Sequence, residues 1–191
     1  MGGFHGHIVL ENMQREVIHD ANPTGQPLMN KLGKNVIYAD GFIYNLPQLL
    51  TQHGTTEKEV LASSHNTSPL GFPLSLKGEF TSVVSLHDRM EIATNHNCSR
   101  RVFYALQRGK IYFHYNLKKL QAVLHADGFQ STPNPLALRS LLSIGGVFGN
   151  QTCVAGINIL RAGEKIVVTK DNWHIHRYYL PNSRPTSLSK S

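Results

Sequence analysis

Residues 79–94 (EFTSVVSLHDRMEIAT) and 102–115 (VFYALQRGKIYFHY) carry the strongest strand signal in this sequence. Apolar, β-branched and aromatic residues alternate loosely with polar ones in both segments, as is typical of half-buried strands. Each segment is interrupted once by turn-forming residues, at His87-Asp88-Arg89 and at Gln107-Arg108-Gly109. The spacing predicts a meander of four short strands, over residues 79–86, 90–94, 102–106 and 110–115.

The flanking segments predict helices and further strands. A strand is expected over residues 36–39, and Asp40-Gly41 after it is a turn signal. Asn134 and Pro135 suit the start of a helix that Gly145 ends. Other elements follow from local patterns: helices over 47–53, 57–62 and 117–124, a Ser- and Asn-rich loop over 63–73, and strands over 158–160, 165–169 and 173–179. Two groups of strands with helices between and outside them predict an α+β fold of two stacked antiparallel sheets flanked by helices.

The composition limits the classes of protein to which the chain can belong. Its 191 residues suffice for one domain with a proper core, which we place at 1–180, before a Ser-, Pro- and Lys-rich tail at 181–191 that we expect to be disordered. We expect a cytoplasmic protein that does not cross a membrane, because it has neither a long apolar window nor a leader-like start. Cys98 and Cys153 are then expected to be free thiols. The net charge of +7 is scattered over the sequence, which argues against a nucleic-acid surface.

Several short motifs occur in the order in which one enzyme family carries them. They are Gly25-Gln26-Pro27-Leu28, Asp40-Gly41-Phe42-Ile43-Tyr44-Asn45, Leu76-Lys77-Gly78-Glu79-Phe80, Gly156-Ile157-Asn158-Ile159-Leu160-Arg161-Ala162-Gly163-Glu164 and Arg177-Tyr178-Tyr179. Together they resemble the class II glutamine amidotransferase domain of asparagine synthetases, over residues 15–179. The resemblance implies the N-terminal-nucleophile fold, a sandwich of two antiparallel sheets between helical layers, which agrees with the fold expected from the strands.

The resemblance also shows where the family's glutaminase chemistry is altered. The family uses an N-terminal cysteine as its nucleophile, and Gly2 stands at that position here. Arg15 matches the arginine that holds the substrate carboxylate, with a solvated surface arginine as the alternative reading. Asp40 and Gly41 replace the Asn-Gly pair of the oxyanion hole, where a carboxylate would oppose a developing negative charge. Phe42 replaces the following glutamate. These four positions, Arg15, Asp40, Gly41 and Phe42, define the remnant of a substrate pocket.

Two further features bear on the chemistry. The family's Gly-Ser-Asp segment, which grips the substrate amine, has no recognisable counterpart among residues 63–68. His5/His7 and His174/His176 are i, i+2 pairs that would share one face of a strand and could ligate zinc. The spacing supplies no third ligand for either pair, so we predict no metal and no cofactor.

The sequence therefore predicts an amidotransferase-like domain that does not hydrolyse glutamine and has no catalytic residue. In the family, the chain continues into an ATP-using synthetase domain. The expected partner is accordingly an ATP-dependent, amide- or lactam-forming synthetase resembling asparagine synthetase, in asparagine synthesis or peptide modification, with a peptide substrate as a further ligand class. The alternative is a glutamine-hydrolysing amidotransferase with an unusual nucleophile.

Overall fold

The computed structural model describes residues 3–20, 28–32, 35–57, 59–69 and 71–180. The strands are β1 (Gly3–Val9), β2 (Arg15–Asp20), β3 (Leu28–Leu32), β4 (Asn35–Ile43), β5 (Gly78–Ser85), β6 (Arg89–Thr94), β7 (Phe103–Gln107), β8 (Lys110–His114), β9 (Asn158–Ile159), β10 (Glu164–Thr169) and β11 (Trp173–Arg177). The helices are α1 (Leu46–His53), α2 (Val60–Thr67), α3 (Phe72–Ser75), α4 (Leu117–Ala126) and α5 (Pro135–Ile144). The predicted tail at 181–191 lies outside the described residues.

The strands form two antiparallel sheets. One has five strands in the order β2-β1-β8-β7-β9, and the other has six in the order β11-β10-β6-β5-β4-β3. Strand β1 is therefore interior to its sheet, with β2 on one side and β8 on the other. The arrangement confirms the predicted α+β sandwich of two antiparallel sheets.

The core of the described residues consists of three clusters of buried apolar side chains. Inward-facing residues of both sheets, among them Phe4, Ile8, Val83 and Phe113, pack together between the sheets. A second cluster packs α1, α2 and α3 on the outer face of the six-stranded sheet, and a third packs α4 on the five-stranded sheet. The central strands of each sheet are thus buried on both faces, which explains why they contain runs of apolar residues rather than strict alternation.

Helix α5 follows the sequence signals that predicted it. Asn134 caps its start, with the side-chain oxygen accepting the N–H of Ala137 at 3.3 Å, and Pro135 occupies the first turn. Gly145 ends the helix in the left-handed conformation at φ 73°. Helix α4 begins in the same way at Asn116, whose side chain accepts the N–H of Lys119 at 3.1 Å.

The predicted meander is wrong in one respect, although its four strands exist. Hairpin β5–β6 belongs to the six-stranded sheet, whereas hairpin β7–β8 belongs to the five-stranded sheet. The eight residues between Thr94 and Phe103 carry the chain from one sheet to the other. Local turn signals define each hairpin but do not specify which sheet it joins, so the sequence could not separate them.

Two local predictions are corrected by the structure. Asp40-Gly41 is not a turn, because β4 continues through both residues and stays paired with β5 as far as Ile43. The Ser- and Asn-rich segment 63–67 is not a loop but the second half of α2, whose residues Ser64 and His65 are buried. Tertiary burial outweighs the weak local preference for a loop there.

Cys98 and Cys153 are free, as expected. In the described part of the chain, no helix combines the length and hydrophobicity needed to span a bilayer.

Candidate functional site

An ion pair joins the two sheets at the end of β2. Asp40 of β4 is 2% exposed, and its carboxylate accepts a hydrogen bond from Nη1 of Arg100. Its second oxygen, Oδ1, lies 3.2 Å from Nε2 of His19 on β2. Since β2 and β4 belong to different sheets, His19 and Asp40 connect the sheets across the sandwich edge. Below, this group of His19, Asp40 and Arg100 is called the edge triad.

Gly41 leaves the room that the Arg100 side chain occupies. Its φ is +130°, and a Cβ added there would lie 2.9 Å from Nε of Arg100 and 2.0 Å from the carbonyl oxygen of Glu79. The guanidinium group therefore lies against the bare backbone of Gly41 while it bonds to the neighbouring Asp40. Only glycine accommodates both the backbone conformation and this close approach.

The loop that carries Arg100 is fixed by buried hydrogen bonds. Asn95 is fully buried, and its Nδ2 donates to the carbonyl of Gly78 at 2.8 Å and to Oγ of Ser99 at 2.9 Å. The hydroxyl of Thr94 donates to the carbonyl of Arg100 at 2.6 Å. Because these bonds hold the loop backbone, Arg100 is directed at Asp40 by the fold rather than placed there by chance.

The edge triad has a chemical consequence for the expected oxyanion hole. An oxyanion hole needs donors that point at a vacant position where substrate charge develops. Here the donors of Arg100 and the ring of His19 point at the Asp40 carboxylate, which belongs to the protein. The negative charge of Asp40 is thereby matched within the protein, and the space beside Gly41 is filled by a side chain.

We expect Gly41→Ala to lower the free energy of unfolding by about 2–3 kcal/mol, because alanine tolerates neither φ +130° nor the contact with Glu79. Gly54→Ala is a matched control, since Gly54 also has positive φ, at +60°, but no atom within 4 Å of an added Cβ. Its loss should be near 1 kcal/mol. Urea denaturation of the two variants measures the difference, and equal losses would contradict the close packing at Gly41.

Phe42 lies next to Gly41, whereas Arg15 lies at the opposite end of β2 from His19. Phe42 follows Gly41 on β4 and is 54% exposed, so it borders the triad without covering it. Arg15 pairs with Ile8 at the far end of β2, and its Nη2 donates to the carbonyl of Leu86. Partial burial lowers the pKa of Arg15, and its Nη1 is buried without a hydrogen-bond partner.

The four predicted pocket positions therefore do not form one group in the structure. Asp40 pairs with Thr81 on β5, whereas Arg15 contacts Leu86 just after β5. Thr81 and Leu86 are five residues apart along the extended chain. That is about 17 Å along the strand. The antiparallel register thus separates Arg15 from Asp40, Gly41 and Phe42, which lie together. The position matched to the nucleophile, Gly2, lies outside the described residues, as do Gly25, Gln26 and Pro27 of the first motif.

The two cysteines lie in different surroundings. The Cys98 thiol donates to the carbonyl of Leu160 at 3.2 Å, and burial raises the pKa of this thiol. A raised pKa disfavours the reactive thiolate. Cys153 follows Thr152 in the segment that packs beside Asn134, away from the edge triad.

Sequence reasoning missed two of the three residues in the triad. His19 lies four residues after Arg15, but nothing in its spacing indicates a partner 21 residues away. Nothing in the local pattern distinguishes Arg100 from the neighbouring Arg101. The signal that could have identified it is its place in the loop between two strands, combined with a buried acid that requires compensation.

An open cavity of about 440 Å³ is lined by Gly78 and Glu79 at the start of β5, and none of the triad residues lines it. It borders the register pair of Phe42 and Glu79, and its size falls within the range of small-molecule or side-chain sites. Its lining combines aromatic, aliphatic and oppositely charged side chains, including Tyr44, Leu74, Lys77, Glu79, His96 and Tyr179.

Comparisons with known proteins agree with the fold. The family model described as "Glutamine amidotransferase domain" matches residues 3–179. Glutamine phosphoribosylpyrophosphate amidotransferase from B. subtilis, solved with ADP and GMP, is similar at 13% identity and a TM-score of 0.53, over 94% of this chain and 43% of that one. A structure described as the allosteric regulatory enzyme of purine biosynthesis is similar at 15% identity and a TM-score of 0.50, over 81% of this chain and 31% of that one. No curated protein sequence matches the chain.

Proposed function

Because this chain belongs to the glutamine amidotransferase domain family, we propose that it is a member that does not hydrolyse glutamine. It acts as a binding or scaffold module for an ATP-dependent, amide- or lactam-forming synthetase that resembles asparagine synthetase. The observation that carries this proposal is the edge triad, in which Arg100 and His19 satisfy Asp40 beside Gly41.

The chemistry of the sequence supports the loss of hydrolysis. The family reaction needs a thiol on the first residue and that residue's free amine as the base. Gly2 supplies no thiol or hydroxyl, and the next such group in the chain is Thr24. A chain that began at Thr24 would lack β1, the interior strand of the five-stranded sheet. Nucleophile and oxyanion donor are thus both altered.

An apolar surface on α5 supports the proposal of a protein partner. Leu136 on α5 is 68% exposed, Leu142 is 86% exposed and Ile144 is 63% exposed, and Phe148, four residues after the helix, is 68% exposed. Ala137 is the one fully buried residue that α5 contributes. A helix that is apolar on nearly all sides is normally covered. Contiguous exposed apolar residues of this kind mark interaction sites in proteins. The solved relatives are chains two to three times as long as the matched region, so amidotransferase domains of this fold occur beside further structure.

We expect Leu142→Glu to weaken binding of the domain to the ATP-dependent synthetase of its source by at least about tenfold, because a charge would be buried at the apolar contact. The free energy of unfolding should change by less than about 0.5 kcal/mol, since Leu142 is 86% exposed. Isothermal titration calorimetry with the purified synthetase measures the affinity.

Leu106→Glu is the matched control, because Leu106 is 50% exposed but lies on β7, at a different part of the surface. It should leave the affinity unchanged. Failure of the unmodified domain to bind the synthetase would contradict the scaffold role. Binding that Leu142→Glu does not weaken would contradict α5 as the contact surface.

A further inference from the structure

We propose that His5, Asp20 and His114 form a binding site for a divalent transition-metal ion on the outer face of the five-stranded sheet. The three residues lie on adjacent strands, β1, β2 and β8, and His5 and His114 are direct register partners. One ligand atom from each residue lies within 4.8 Å of the other two. This site is independent of the edge triad, which lies on the opposite face of β2.

The unsatisfied atoms of the cluster point to a ligand. Nδ1 of His5 is shielded from solvent and has no hydrogen-bond partner, and it lies 3.9 Å from Oδ1 of Asp20. A buried polar atom without a partner is costly unless something binds it. His114 is 3% exposed, and its ring stacks on that of His5 with centroids 4.7 Å apart. A metal ion would satisfy His5 and Asp20 together.

The surroundings of Asp20 orient it toward this position. Its other oxygen, Oδ2, accepts hydrogen bonds from the Tyr115 hydroxyl at 2.6 Å and from Nζ of Lys119 at 3.0 Å. Oδ1 of Asp20 is thereby directed toward His5. Hydrogen bonds of this kind to a carboxylate are the usual outer support of metal ligands.

Metal binding requires small rearrangements of the two histidines. A loaded tetrahedral site places its ligand atoms about 3.4 Å apart, so the His5 ring must turn out of its stack toward Asp20. Nδ1 of His114 accepts the N–H of Asn116 at 3.0 Å, so the neutral ring carries its proton on Nε2. Coordination through Nε2 moves that proton to Nδ1 and frees the Asn116 N–H. Because Asn116 is exposed, water can take over that bond at small cost.

The donor set identifies the class of ion. Two imidazole nitrogens and one carboxylate oxygen suit Zn²⁺ or a similar first-row ion, with water in the fourth position. The ammonium group of Lys119 opposes a cation, since it lies beside Asp20. Lys119 is 57% exposed at its side chain, so it can turn away. A bound ion would tie β1 to both neighbouring strands and stabilise the folded protein.

The test uses the untagged, metal-free full chain. Titration with Co²⁺ should give one equivalent of binding with the visible absorption bands of a four-coordinate ion, and Zn²⁺ should displace the Co²⁺ and raise the melting temperature. His5→Ala, Asp20→Asn and His114→Ala should each weaken binding at least about tenfold. His7→Ala is the matched control, because His7 shares the strand and face of His5 but faces Glu16.

A second variant separates this site from adventitious binding. Lys119→Gln removes the opposing charge and should tighten Zn²⁺ binding about fivefold. Any variant that unfolds would be recognised by its circular dichroism, and the Lys119→Gln result and the His7→Ala comparison would still test the site. No saturable binding, binding that survives His5→Ala and His114→Ala, or equal weakening by His7→Ala would each overturn the proposal.

Discussion

Arg100→Ala is expected to lower the free energy of unfolding by about 3–4 kcal/mol. The change leaves the carboxylate of Asp40, which is 2% exposed, without the guanidinium that balances its charge. Removing one partner of a buried ion pair costs more than the pair contributes, because the remaining charge stays desolvated. His19 still contacts Asp40, so the loss falls at the lower end of the range for buried pairs. Urea denaturation measures the change.

A double-mutant cycle with Asp40→Asn makes this expectation specific. In the Asp40→Asn background, Arg100→Ala should cost much less, because no buried carboxylate is left without its partner. Arg101→Ala is the control, since Arg101 is the exposed neighbour, and it should stay within about 0.5 kcal/mol. Equal losses for Arg100→Ala and Arg101→Ala would contradict the structural role of the edge triad.

Lys165→Met is expected to lower the free energy of unfolding by about 3–5 kcal/mol. Lys165 on β10 is fully buried, and its Nζ donates to Oε2 of Glu91 on β6 at 2.6 Å. Glu91 is 3% exposed and also contacts Arg89 at 2.6 Å. Loss of the ammonium group leaves the guanidinium of Arg89 beside a carboxylate that is almost fully shielded from solvent.

The double variant Lys165→Met with Glu91→Leu should be more stable than Lys165→Met alone, because apolar residues of similar volume replace a buried pair at little cost. Lys170→Met tests the effect of the lysine-to-methionine change itself, since Lys170 is exposed one residue beyond β10. Thermal denaturation at one pH compares the three variants. A double variant less stable than Lys165→Met would contradict a cost of leaving the Glu91 carboxylate without its ammonium partner.

The sequence predicted best those elements whose signals are local. Helix α5 was predicted with its bounds, because Asn134 and Gly145 set its ends by hydrogen bonding and backbone conformation within the helix itself. The two central hairpins were predicted for the same reason, since each turn is encoded by its own residues. The grouping of the strands predicted two stacked sheets, and the family motifs implied the same layered arrangement.

The errors concern contacts between distant residues. Strand β4 continues through Asp40-Gly41 because β5 pairs with it there, and this pairing outweighs the turn preference of the dipeptide. The edge triad was not predicted because Arg100 and Asp40 are 60 residues apart. The sequence likewise did not indicate that His5, Asp20 and His114 lie together, since Asp20 and His114 reach His5 from neighbouring strands rather than from its own.

Glutamine hydrolysis by the purified full chain tests the central claim most directly. Ammonia released from glutamine would be measured for the chain itself and for Gly2→Cys after removal of Met1. We predict no release above a heat-inactivated blank for either protein, since the edge triad fills the site even where a thiol is restored. Ammonia release by the unmodified chain that saturates with glutamine would contradict the account, and release by Gly2→Cys alone would show that the site beside Gly41 is still open.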